Sequence, residues 1–283
     1  MTLNEIISAL EKADIENPLY DALAIASHFT GKSNAFLLCD RAAALTEDEE
    51  LIANIREAVS ERVARRPLQY ILGQWEFMGL GFKVNEDCLI PRADTEVLCE
   101  SAIKLLPENG SFLDLCTGSG CIAVAVAHYR PDVKVTALEK YPQTLKVARE
   151  NCERVLGSED KIRFVEADVT SHTAALGFFG GKKFDFIASN PPYVTLEEMD
   201  TLAPELSSEP RHALTDEGDG LSIIKEICRI YPMFLKPGGI LAIEHSATQG
   251  EAVRDIMSHY GHSSAVTIKD VSGNDRVTMI TLA

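Results

Sequence analysis

Asp114-Leu115-Cys116-Thr117-Gly118-Ser119-Gly120 decides the fold of this chain. An apolar run at 112–116 enters it and a helix-like segment at 120–128 leaves it, so it reads as the turn from a buried strand into a helix. Gly118 and Gly120 let the backbone approach a ligand closely at that turn. Two familiar loops do not fit. A dinucleotide fingerprint needs a third glycine shortly after, and Cys121-Ile122-Ala123 has none. A phosphate loop needs a closing Gly-Lys-Ser/Thr, which is also missing.

Outward from the loop, the strand candidates are 112–116, 133–139, 162–168, 184–190, 239–245, 264–269 and 277–282. Between the first five lie helix-like segments, among them 120–128, 142–155 and 221–234. Strands separated by helices predict an α/β fold with a parallel, doubly wound, Rossmann-like sheet. The last two candidates are joined only by 270–276, a connection that permits antiparallel pairing and no parallel crossover. Seven strands with a reversed final one is the architecture associated with methyltransferases that use S-adenosylmethionine.

Two carboxylates extend the loop into a candidate cleft. Glu139 ends the second strand candidate, 25 residues after Asp114, where an acid in a doubly wound fold accepts ribose hydroxyls. Asp168, followed by Val169, ends the third, within reach of an adenine amine. The expected cofactor-binding set is Thr117, Gly118, Ser119, Gly120, Glu139, Asp168, Val169 and Asn190.

Asn190-Pro191-Pro192-Tyr193 follows the fourth strand candidate. Two successive prolines donate no backbone hydrogen bonds and fix their own φ. The residue before a proline is pushed to extended geometry. The strand should therefore stop at Asn190 and leave stiffly, fixing an amide side chain and two carbonyls with no competing N–H. Such acceptors suit a planar –NH2 group. Asn190, Pro191 and Tyr193 are the expected catalytic residues, with Pro192 completing the substrate-binding set. Tyr193 is expected to pack on the planar amide.

The bulk numbers bound the rest. A chain of 283 residues holds one large or two ordinary domains. A hydrophobic share of 46% permits a sizeable core, and no apolar run of membrane-spanning length occurs. Glu5, Glu11 and Asp14 near the start oppose a secretory signal. The seven cysteines form no Cys-x-x-Cys pair, which points to reduced thiols in a cytosol and no metal. A net charge of −16 argues against gripping duplex phosphate.

Residues 1–66 read as helical: Leu3, Ile6, Ile7 and Leu10 fall at helical spacing, as do Leu51, Ile52, Ile55, Val59 and Val63. Thr46 with Glu49 resembles a capping box opening the last of these helices. Gly31-Lys32-Ser33 reads as a helix stop. Trp75-Glu76-Phe77 and Phe82-Lys83-Val84 around Gly79 read as a hairpin. The expected division is a helical domain at 1–72, a hairpin linker at 73–90 and the α/β domain at 91–283.

Nearly end to end, the chain resembles the peptide chain release factor glutamine methyltransferases, the PrmC/HemK family of protein-(glutamine-N5) methyltransferases. The resemblance rests on Arg66-Pro67-Leu68-Gln69-Tyr70-Ile71-Leu72-Gly73, Leu89-Ile90-Pro91-Arg92-Ala93-Asp94-Thr95-Glu96, the 114–120 loop and the 190–193 tetrapeptide. It continues through Glu209-Pro210, Asp219-Gly220-Leu221, Glu244-His245, Gln249 and Asn274-Asp275-Arg276. There are two departures. The family usually has glycine where Cys116 stands, and aspartate where Glu139 stands.

The resemblance implies methyl transfer from S-adenosylmethionine to a glutamine side-chain amide nitrogen in release factors, in support of translation termination. It implies a cytoplasmic protein, read as a monomer, without direct nucleic-acid or membrane binding, whose N-terminal helices help dock the substrate. His245 is read as structural, and the roles of Arg92 and Glu96 stay open. The tetrapeptide is shared with adenine-N6 methyltransferases, which act on flipped bases of DNA or RNA. That alternative would want a basic recognition region, whereas acids outnumber Lys+Arg by 43 to 27. A non-enzymatic nucleotide-binding module is a third reading, opposed by the intact tetrapeptide.

Overall fold

The computed structural model describes all residues, Met1–Ala283, which divide into two compact units. The first comprises Met1–Gln74 with Ala203–Ser208. Its helices are α1 (Leu3–Lys12), α2 (Pro18–Thr30), α3 (Asn34–Cys39), α4 (Glu49–Val63) and α5 (Leu68–Leu72). Leu3, Ile6 and Leu10 of α1 pack with Ile25, Leu37 and Ile55 in its core, each contributing about 1.5–3 kcal/mol by burial. Gly31, at φ +67°, stops α2 in the left-handed conformation that glycine adopts without steric cost. The expected Thr46 cap does not form. Asp48 caps α4 by accepting from the Glu50 and Leu51 amides, and Thr46 Oγ1 accepts from the Asp48 amide instead, at 3.1 Å. A carboxylate two residues downstream takes the orphan N–H groups first. Buried Arg62 joins Asp21 (2.6 Å) to Glu205 (3.0 Å) within this unit.

The second unit comprises Trp75–Leu202 and Glu209–Ala283. The hairpin strands β1 (Gln74–Phe77) and β2 (Leu80–Lys83) turn through Met78 and Gly79, both at positive φ. From Trp75 onward the hairpin belongs to this unit. Phe77 and Phe82 are buried in the core beside α6 (Glu96–Leu105), and Asn151 clasps the Lys83 main chain at both N–H and C=O.

The sheet follows, built from β3 (Ser111–Leu115), β4 (Lys134–Glu139), β5 (Ile162–Glu166), β6 (Phe184–Ser189), β7 (Leu235–Glu244), β8 (Val266–Lys269) and β9 (Asp275–Thr281). The helices between and after these strands are α7 (Cys121–Tyr129), α8 (Pro142–Leu156), α9 (His172–Phe179), α10 (Leu196–Met199), α11 (Arg211–Leu214), α12 (Ser222–Ile230) and α13 (Gly250–His259). The strand order is β5-β4-β3-β6-β7-β9-β8, with β9 antiparallel to both neighbours and the rest parallel. This is the seven-stranded, doubly wound α/β sheet. Alternation splits each strand between two cores: Phe112 and Phe186 face α6 and α7, while Leu113 and Ile187 face α12 and α13. The chain winds outward from β3 to β5, then returns to build from β6. That reversal opens a crevice at the carboxyl ends of β3 and β6, where doubly wound sheets bind ligands.

Several strands end one or two residues short of the sequence expectation, two of them at residues nominated for the site. β6 stops at Ser189, one residue before Asn190. β5 stops at Glu166, leaving Asp168 two residues out in a loop. Asp168 Oδ1 accepts there from the Thr170 amide, a local turn that competes with continued pairing.

Candidate active site

The glycine loop is set by its own backbone. Cys116, Gly118 and Gly120 all take positive φ, at 58°, 57° and 80°. The Thr117 amide donates to Leu138 O (3.0 Å) and the Gly120 amide to Thr117 O (2.8 Å). Gly118 has open space around it, as a ligand-facing glycine should. Gly120 differs: a Cβ there would meet Ala148 Cβ at 3.1 Å, so its smallness serves the packing of α7 on α8. Buried Asp114 accepts from Thr117 Oγ1 at 2.5 Å, and burial pushes its carboxyl up to about 7. Asp114 Oδ1 and Ser119 Oγ are buried without a protein partner.

A cleft with a cavity volume of about 180 Å³ lies over this loop. Thr117, Gly118, Ser119, Glu139, Asp168, Val169, Asn190 and Pro192 line it, so the fold gathers these sequence-nominated residues around one space. Gly120, Pro191 and Tyr193 do not line it. Glu139 is clamped by the main chain: Oε2 accepts from the Gly118 amide (3.0 Å), Oε1 from the Lys140 (2.8 Å) and Tyr141 (3.2 Å) amides. Burial raises its pKa. Asp168 pairs with Lys140 at 2.8 Å. Burial pushes its carboxyl up, but Lys140 and Thr170 outweigh that and hold it below the usual range.

Asn190 leaves β6 with its amide already oriented. Its Nδ2 donates to Thr95 Oγ1 (3.1 Å), and Thr95 Oγ1 donates to Glu244 Oε1 (3.2 Å) at the end of β7. Tyr193 points inward, with its hydroxyl 3.4 Å from the same Glu244 oxygen and its ring against the apolar core. The Tyr193 carbonyl accepts from Gln249 Nε2 at 3.0 Å. Glu244 is fully buried, its Oε2 has no partner, and burial pushes its carboxyl up to about 7. His245 is spoken for by Ser246 O and Thr278 Oγ1, each at 2.8 Å.

A family model described as the PrmC N-terminal domain matches residues 2–73, and one described as the methyltransferase small domain matches residues 94–250. The release factor glutamine methyltransferase of Fusobacterium nucleatum is 38% identical, over 97% of this chain and 76% of its own length. The enzyme of the same name from Bordetella pertussis is 37% identical, over 94% of this chain and 96% of its own. The chain belongs to the release factor glutamine methyltransferase family. A methyltransferase from Pyrococcus furiosus, 18% identical, covers 83% of this chain and 98% of its own with a TM-score of 0.51, a likeness of fold.

In this family member the rim of the cleft carries residues that local sequence reading left without a role. Glu209 is buried; it accepts from the Ile90 amide at 3.1 Å and pairs with Arg92, fixing the Pro91–Arg92 wall. Tyr141 and His212 stack with ring centroids 3.6 Å apart, and both line the cleft. Glu96, also without an assigned role, caps the hairpin turn by accepting from the Met78 amide at 2.9 Å. Glu244 had a signal that was available: it ends a parallel strand, as Glu139 does. Tyr141 and His212 had none.

Proposed function

We propose that this protein transfers a methyl group from S-adenosylmethionine to the side-chain amide nitrogen (N5) of a glutamine in peptide chain release factors. The single observation that carries this reading is the pinned Asn190 amide. With Nδ2 held by Thr95, Oδ1 is the half left to accept from a ligand at the cleft that Asn190 lines.

The cleft residues fit the cofactor. Both Glu139 oxygens are fixed by backbone N–H groups; Oε2 accepts only one of them and keeps a second lone pair for a ribose hydroxyl. Ser119 Oγ is a buried hydroxyl on the cleft wall that lacks a protein partner, suited to a polar ligand atom. Thr117, Gly118, Gly120, Asp168 and Val169 complete the proposed site, with Gly120 acting through helix packing. When bound, S-adenosylmethionine supplies an electrophilic methyl group and its leaving group.

The protein supplies placement. An amide nitrogen is a poor nucleophile because its lone pair is delocalised. Asn190 Oδ1 and the Pro191 carbonyl would accept its two N–H groups, aim the nitrogen at the methyl carbon and stabilise positive charge as it develops. The proton leaves after transfer, so no strong base is required. Tyr193 holds the tetrapeptide from behind, and Pro192 forms part of the cleft wall.

The substrate is a protein, and the helices of residues 1–72 help dock it. We read the enzyme as a cytoplasmic monomer; no helix is long and apolar enough to cross a membrane.

Incubating the protein with labelled S-adenosylmethionine and either purified release factor or DNA tests the assignment. Label on one release-factor glutamine is expected, with none on DNA. Asn190→Ala is expected to abolish transfer while leaving cofactor affinity within about a few-fold. Full activity in that variant refutes the mechanism.

A further inference from the structure

The hydroxyl of Thr95 has one hydrogen and is engaged on both sides. It donates to Glu244 Oε1 (3.2 Å) and accepts from Asn190 Nδ2 (3.1 Å). Tyr193 donates to the same Glu244 oxygen at 3.4 Å. The three elements that meet here are the turn Ala93–Thr95, the end of β6 and the end of β7, so side chains 95 residues apart in sequence form one chain of hydrogen bonds.

We infer that Thr95 and Glu244 are positioning residues for methyl transfer, fixing which half of the Asn190 amide meets the substrate. This rests on the function proposed above. An ionised Glu244 can only accept. Thr95 must then give it the hydrogen, so its own oxygen faces a donor, and the Asn190 amide turns Nδ2 inward and Oδ1 toward the cleft. A protonated Glu244 can reverse every link. It donates to Thr95, Thr95 donates to Oδ1, and the amide rotates to offer –NH2 to the glutamine –NH2, which is donor against donor.

The reversal is reachable near neutral pH because burial pushes the Glu244 carboxyl up to about 7. The groups facing it are Thr95 and Asp94 from the turn, Tyr193 from the tetrapeptide, Arg276 from β9 and Cys121 from the start of α7. Arg276 is engaged by Asp94 and Asp270, each at 3.0 Å, so it biases Glu244 toward the charged form without neutralising it directly.

The test is steady-state methylation of purified release factor by the full-length enzyme and its Thr95→Val, Thr95→Ser and Glu244→Gln variants across pH 6–9. Cofactor affinity is measured by calorimetry and folding by urea melts. Thr95→Val is expected to lower kcat by roughly tenfold to a hundredfold. KM and cofactor Kd should stay within about threefold. Thr95→Ser restores the rate. The wild-type profile has an acid limb near pH 7, and that limb is absent in Thr95→Val and in Glu244→Gln, because Glu244 no longer sets the amide.

A wild-type kcat in Thr95→Val, or an unchanged acid limb in either variant, overturns the inference while the functional reading stands. Should Thr95→Val fail to fold, Glu244→Gln and Thr95→Ser decide the matter by the same limb. A wild-type enzyme that binds cofactor yet leaves release factor unlabelled overturns the functional reading, and this inference with it.

Discussion

Gly220 lies 27 residues from Tyr193 in sequence, yet a Cβ built on it would stand 2.1 Å from the Tyr193 carbonyl oxygen. It would also stand 2.8 Å from Gln249 Nε2, the donor that holds that carbonyl. Real Cβ atoms essentially never approach below 3.0 Å, so Gly220→Ala requires the end of the Asn190–Tyr193 tetrapeptide to retreat by about 0.9 Å, or Gly220 itself to move. The Tyr193 carbonyl is backbone and cannot swing aside, and the Gln249 amide could move only by giving up its hold on that carbonyl. The residue also sits at φ +71°, which costs an L side chain about 1 kcal/mol. Overpacking adds about 1–3 kcal/mol, for a total destabilisation of about 2–4 kcal/mol. A shift near 1 Å in a residue run that aims the nucleophile costs on the order of a hundredfold in rate. The assay is kcat for release-factor methylation beside a urea melt, with Gly218→Ala as control. Gly218 has normal φ, and the nearest atom to its Cβ would be Asp216 Oδ1 at 3.5 Å, so the control is expected to hold within about 0.5 kcal/mol. If Gly220→Ala keeps the wild-type rate and stability, the close approach does not position the tetrapeptide.

Three further outcomes follow. Cys116 holds φ +58° with a side chain, so Cys116→Gly should relieve about 1 kcal/mol of strain, seen as a Tm rise of roughly 2–4 °C with cofactor affinity retained. Arg62→Ala leaves Asp21 and Glu205 without their shared cation in the helical unit, costing about 3–5 kcal/mol in a urea melt; Arg62→Met with Asp21→Leu should recover most of it. Burial raises the folded pKa of Glu244 to about 7 from its ordinary 4.5, so the folded protein keeps a proton that the unfolded chain has lost. Its favourable contribution is full below about pH 4.5 and lost as pH rises through 7; the urea midpoint of wild type should fall across that window relative to Glu244→Gln, and parallel curves would refute it.

What could be read in advance was what is local. The strands of the sheet were visible because apolar runs buried on both faces alternate with helical patterns, and all seven formed within a few residues of expectation. The stop after β6 was readable because proline geometry is intrinsic to its residue. Competition between neighbouring caps was harder: Asp48 displaced Thr46, and the Asp168–Thr170 turn ended β5 early. The hairpin was foreseen, but its absorption into the α/β unit depends on Phe77 and Phe82 finding α6 and α7, which no local period encodes. Site contacts between distant segments were hidden for the same reason. Nothing near Asn190 announces Thr95, and nothing near Tyr141 announces the His212 ring.

The buried acids join these two lessons. Asp114, Glu139 and Glu244 end the parallel strands β3, β4 and β7 or lie one residue inside that end, so the doubly wound topology brings three carboxylates to one edge. All three have pKa values raised by burial, and Asp114 Oδ1 and Glu244 Oε2 lack any protein partner. A fold selected for stability alone would replace them, since an unpaired buried charge is among the costliest features a core can hold. Their presence marks where local rules yield to the work of the site. The opposing pH trends express this tension in one residue. Raising the pH through 7 ionises Glu244, which weakens the fold, and the same ionisation sets the Asn190 amide for its substrate. A rate that rises while stability falls across one titration cannot come from unfolding, so the two measurements together separate the role of Glu244 in the site from its cost to the core.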